Sequence, residues 1–79
     1  MKLKAFQKQW VEAVSHGAEY FLITLKNGTE IYADEYLRMG AVIIHLKMDG
    51  RLIARVNLEK VSKIQGMRDI YEGVFYETG

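Results

Sequence analysis

The side chains able to do chemistry in this chain are few and scattered. His16 and His45 stand far apart in sequence, cysteine is absent, and no second ligand stands at metal-site spacing from either histidine. The hydroxyls of Ser15 and Ser62 lie in no nucleophile elbow or triad context. Asp34 and Glu35 are adjacent carboxylates. Neighbouring strand residues point to opposite faces, so these two form a general acid/base pair only where a bulge turns them together. The glycines are spaced as turn residues and never gather into a phosphate-cradling loop. The expectation is a protein that is not an enzyme and carries neither metal nor cofactor.

The elements around these residues are easier to read. Leu3, Phe6, Trp10 and Val14 recur at intervals of three and four, one stripe of a helix whose other faces carry Lys4, Lys8 and Glu12. Gly17 ends it, because glycine takes the left-handed conformation of a helix C-terminus. Tyr20-Phe21-Leu22-Ile23-Thr24-Leu25 then has strand composition. Asn27-Gly28 fits a type I′ turn with positive φ at both positions, joining strands at residues 19–26 and 29–38. In the second of these, Ile31 and Ala33 suit the inner face but Glu35 breaks the phase, which predicts a bend or bulge near Asp34.

Residues 41–46 form a third strand, apolar on both faces, and Asp49-Gly50 repeats the hairpin chemistry. Residues 51–57 form a fourth, with Leu52, Ala54 and Val56 alternating against Arg51, Ile53 and Arg55. Leu58-Glu59-Lys60 has room for one 3₁₀ turn before a fifth strand at 61–65. The fold class is therefore mainly β with one helix. A helix at 1–16 precedes a five-stranded, strongly bent antiparallel barrel of SH3-like type at 19–65, with an aromatic C-terminal extension at 66–79, all in a single domain 1–79.

Composition limits the function classes. A chain of 79 residues buries only about 60% of its unfolded surface. Without cysteine, oligomerisation is the remaining way to bury more. Eleven Lys+Arg against ten Asp+Glu give a net charge of +1, which excludes a protein that holds nucleic acid by bulk electrostatics. Lys2, Lys4 and Lys8 open the chain without an acid among them, whereas Asp69, Glu72 and Glu77 close it with only Arg68 as counterweight. No apolar signal segment and no stretch of about 18 apolar residues is present, so a cytoplasmic location and no membrane partner are expected.

The run from Lys8 to Lys47 resembles the Sm/Hfq small-barrel family. Trp10, Ala13 and Val14, then Phe21, Ile23 and Leu25, the Asn27-Gly28 turn, and Val42, Ile43 and Ile44 fall at the spacing of an Hfq subunit without a gap. Ala33 stands where the family usually has the glycine of its sharply bent second strand. Beyond Lys47 about three residues must be inserted before Val61-Ser62-Lys63-Ile64 meets the family's last strand. The resemblance implies a homo-oligomeric ring, a hexamer in Hfq, that binds single-stranded RNA.

The residues that read RNA in Hfq are mostly replaced. The pore run Tyr-Lys-His falls on Asn57-Leu58-Glu59, the pore phenylalanine on Ala41, and the rim arginines on Ser15 and His16. Gln7 keeps the pore glutamine. On the adenine-binding face Gly28 is kept, Thr24 replaces the tyrosine, and Thr29 and Tyr32 follow the turn. The expected RNA-binding set is Gln7, Lys26, Gly28, Thr29, Tyr32, Arg51 and Arg55, a divergent surface in which Tyr32 stacks a base. Two alternatives stand beside it. One is a protein-interaction or regulatory module on the same barrel, its partner engaged by Ile70, Tyr71, Phe75 and Tyr76. The other is a monomeric SH3-like or Tudor-like barrel that reached the same pattern independently.

Overall fold

A computed structural model of the protein describes residues 1–68. The candidate partner residues Ile70, Tyr71, Phe75 and Tyr76 lie outside them, as does all of the extension after Arg68. The chain is mainly β with one N-terminal helix. Helix α1 (Leu3–Ser15) is followed by β1 (Tyr20–Leu25), β2 (Glu30–Ala33), β3 (Glu35–Arg38), β4 (Ile43–Met48) and β5 (Arg51–Asn57). A 3₁₀ turn (Leu58–Lys60) then leads into β6 (Val61–Met67).

Helix α1 ends as its glycine predicts. Gly17 sits at φ +93°. Its N–H donates to the Val14 carbonyl at 3.0 Å, and the Ala18 N–H donates to Ala13 at 2.9 Å, the paired bonds of a Schellman cap. Of the expected stripe, Phe6 and Trp10 are buried and Leu3 packs against the core, but Val14 is exposed.

Among the described residues there are six strands rather than five, in two antiparallel three-stranded sheets ordered β2-β1-β6 and β3-β4-β5. The expected strand 29–38 is broken at Asp34 into β2 and β3, one in each sheet. Ala33 faces the core opposite Phe21, and the next core-facing residue is Tyr36, opposite Leu46. Three positions separate them where an unbroken strand needs an even number, so the bend at Asp34 resets the phase and turns Glu35 outward. The Asp34 N–H still reaches the Lys47 carbonyl at 2.9 Å, and its Oδ2 accepts the Asp49 N–H at 3.1 Å, tying the bend to the next hairpin.

The first hairpin differs from the type I′ expectation. Only Gly28 has positive φ, at +91°, and Asn27 does not. The Gly28 N–H donates to the Leu25 carbonyl at 2.9 Å, which makes Lys26 and Asn27 the centre of the turn. The Leu25 N–H bonds the Thr29 carbonyl at 2.8 Å, so this is a three-residue loop with glycine in the left-handed position. Asp49-Gly50 is the type I′ turn, with φ of +52° and +78°.

The two sheets and the helix enclose one core of Phe6, Trp10, Phe21, Ile23, Ala33, Ile44, Leu46, Val56, Leu58 and Val61. The third strand begins two residues later than expected, leaving Ala41 and Val42 exposed before β4. A register shift between Leu46 and Lys47 pairs Leu52 with Lys47, so Leu52 is exposed instead of following Ala54 and Val56 inward. The last strand runs through Gly66, which lies against the helix: a Cβ there would stand 2.7 Å from the Ala13 Cβ.

Candidate functional site

The outer face of the first sheet is built by alternation. Phe21, Ile23 and Ala33 are buried and Ile31 packs on the core, so Tyr20, Leu22, Thr24, Glu30 and Tyr32 project to the other side. Register sets the rows: Leu22 lies between Tyr32 and Gln65, and Thr24 lies between Glu30 and Lys63. Tyr20 and Tyr32 sit diagonally across β1 and β2, with ring centroids 5.9 Å apart and planes at 52°. Tyr32 is 48% exposed. The result is a two-ring aromatic surface on a sheet face that also presents Gln65 and Lys63.

Tyr20 is absent from the set expected from sequence. Its signal was available: it alternates with Phe21, and once Leu22 is known to face Tyr32 the diagonal pair follows.

Most of the expected set is divided among separate places. Lys26, Gly28 and Thr29 are exposed in the turn between β1 and β2, where Asn27 Oδ1 accepts the Thr29 N–H at 3.0 Å. Arg51 and Arg55 are exposed on β5 in the other sheet, opposite Met48 and His45. Gln7 is half-buried on α1. Tyr32 alone belongs to the aromatic face.

A second site lies where the chain start, the first hairpin turn and the 3₁₀ turn meet. The Lys26 N–H donates to the Lys60 carbonyl at 2.8 Å, and the Leu58 N–H to Val42 at 2.7 Å. The Met1 nitrogen donates to the Leu58 and Val61 carbonyls at 2.7 and 3.3 Å. These bonds frame a cleft of about 550 Å³ with Met1, Leu3, Ala41 and Val42 as its apolar lining. Among the described residues its charged groups are Lys2, Lys4 and Lys26 against the single carboxylate of Glu59. A neighbouring cleft shares Lys26 and Glu59 and adds Lys60. Two positions that the Hfq resemblance assigns to the pore, Ala41 and Glu59, thus meet in one cleft. Leu58 is core, and Asn57 Oδ1 caps the 3₁₀ turn by accepting the Glu59 N–H at 2.8 Å.

The polar groups weighed for catalysis have structural partners. Ser15 Oγ and His16 Nδ1 both donate to the Glu12 carbonyl, at 2.7 and 2.8 Å, and Ser62 Oγ donates to Thr24 at 3.3 Å. Asp34 holds the Asp49 amide, while Glu35 lies 4.0 Å from Lys47 in an ion pair. Among the described residues no group of three or more His, Asp or Glu side chains could hold a metal ion, and no helix is long and apolar enough to cross a membrane. The two sites present an aromatic surface on the first sheet and an apolar cleft with a cationic rim. No family model, curated protein or solved structure matches the chain.

Proposed function

We propose that this protein is an Sm/Hfq-like small barrel that assembles into a ring and binds single-stranded RNA on the outer face of the first sheet. The observation that carries the RNA reading is the Tyr20–Tyr32 pair, two rings 5.9 Å apart on a solvent-facing sheet. Base stacking on such rings tolerates any sequence and needs little net charge, which suits a chain of net charge +1. Lys63 and Gln65 supply a phosphate contact and a base-edge donor and acceptor beside them.

Assembly is supported by the strand order. Read through the bend at Asp34, the strands run β6-β1-β2/β3-β4-β5, so among the described residues the two outermost edges are β6 and β5. An edge strand presents free backbone donors and acceptors to another chain, and pairing β5 of one copy with β6 of the next would extend the sheet around a ring.

The test is native mass and binding with short oligo-A and oligo-U RNA. The expected result is a mass several times that of the 9.1 kDa chain, with binding that Tyr20→Ala or Tyr32→Ala weakens by about 1–3 kcal/mol. Because few cations flank the rings, the log–log salt slope should correspond to about one or two phosphates at roughly −0.7 each. A monomer that ignores both RNAs overturns the reading. An oligomer that ignores both favours the protein-interaction alternative, for which the specific observation is the exposure of Leu37, Leu52 and Ile53 on the second sheet.

A further inference from the structure

The cationic cleft lies apart from the aromatic face, and its lining has a definite chemical complement. Met1, Leu3, Ala41 and Val42 would favour an apolar or aromatic side chain, while Lys2, Lys4 and Lys26 outnumber Glu59 and would favour carboxylates around it. A chain of nucleotides brings phosphates, but among the described residues the lining offers no aromatic ring on which its bases would stack. An acidic peptide with aromatic residues brings both the apolar anchor and the carboxylates.

The sequence contains such a peptide. Residues 69–79 carry Asp69, Glu72 and Glu77 with no lysine or arginine, and among these acids stand Tyr71, Phe75 and Tyr76. We propose that this segment, in the same molecule, is the occupant of the Lys2–Lys4–Lys26 cleft, with Phe75 and Tyr76 against the apolar lining and the neighbouring Glu77 carboxylate facing the lysines. The cleft would then be a peptide-docking site that nucleic acid or a partner must compete for.

Reach permits this. Strand β6 leaves the 3₁₀ turn, beside the cleft, and ends at Met67 opposite Tyr20. Seven strand residues cover about 20 Å. Tyr76 stands eight residue steps beyond Arg68, and at up to about 3.4 Å per step they span roughly 27 Å, enough to return along the strand. The short length equally keeps the segment's effective concentration at its own cleft high.

The absence of cysteine allows a clean test on the full chain. A nitroxide on Thr78→Cys, which leaves every acid and aromatic residue in place, should cause its strongest loss of amide signal at Lys26, Ala41 and Val42. The loss should fall in 1 M salt, where the screening length is about 3 Å, and in the full-length Lys2→Glu/Lys4→Glu/Lys26→Glu variant. Strongest loss on the exposed helix residues Val11 and Val14 or on Leu52 and Ile53 overturns the proposal, as does no localised loss. Mixing isotope-labelled protein with separately spin-labelled protein covers the remaining outcome: loss seen only between molecules assigns the segment to a neighbouring copy and overturns docking within one chain. None of these readouts depends on RNA binding, so failure here leaves the proposed function standing, and the converse holds.

Discussion

Trp10 lies flat on Phe21, with ring centroids 3.6 Å apart and planes 17° from parallel. The same indole meets Tyr36 edge-on at 4.7 Å, so one helix residue touches an aromatic ring from each sheet. It fastens α1 over the opening between them. Trp10→Ala should therefore cost about 3–5 kcal/mol, a large share of a small domain's stability. Thermal unfolding followed by far-UV circular dichroism would measure it. Trp10→Phe keeps a ring against Phe21 and should retain a cooperative transition at a reduced midpoint. If Trp10→Ala unfolds within about 0.5 kcal/mol of the parent, the helix does not depend on this contact.

Gly66 is required by proximity rather than by backbone conformation. It has no positive φ, yet its added Cβ would meet the Cβ atoms of Ala13 and Ala18 at 2.7 and 3.0 Å. Gly66→Ala should destabilise by about 1–3 kcal/mol through overpacking. Ala13→Gly in the same chain should recover part of this, so the double variant loses less than the sum of the singles in denaturant titrations.

In the first hairpin the left-handed residue is Gly28, at φ +91° with nothing within 4 Å of an added Cβ. Gly28→Ala should cost about 1–2 kcal/mol from backbone strain alone. Asn27 is not left-handed, and Asn27→Ala should lose only its bond to the Thr29 amide, about 0.5–1.5 kcal/mol. A much larger cost for Asn27→Ala than for Gly28→Ala would contradict the turn described.

Asp34 marks the bend and its carboxylate holds the Asp49 amide. Asp34→Ala should cost about 1 kcal/mol, and hydrogen exchange should accelerate selectively at Asp49. Uniform acceleration across β4 and β5 would mean that the bend, not the side-chain bond, had been lost.

Much of the fold is legible because local physics repeats at short range. The spacing of Phe6 and Trp10 gives a helix face, Gly17 its end, and the phase break at Glu35 the bend at Asp34. The candidate site is less legible because its residues meet only through pairing. Tyr32 stands out in the sequence, but its neighbour Tyr20 is defined by register between two strands. Lys2, Lys4 and Lys26 share a cleft only because the chain start and the first turn both bond to the segment around Leu58–Val61.

The two hairpins separate what sequence determined from what tertiary structure decided. Asn27-Gly28 and Asp49-Gly50 each dictate a turn, since both dipeptides tolerate the left-handed conformation. They do not dictate the same turn. A two-residue loop at Asn27-Gly28 would place Leu22, not Phe21, opposite Ala33; the three-residue loop pairs Phe21 with Ala33 and Ile23 with Ile31. That one-residue difference exchanges the faces. It puts Phe21 under Trp10 and leaves Tyr20 and Tyr32 together on the outer face, Tyr20 half-buried and Tyr32 exposed. The choice rests with the core, because burying Phe21 and Ile23 beside Ala33 and Ile31 against the helix is a long-range gain that no local dipeptide encodes.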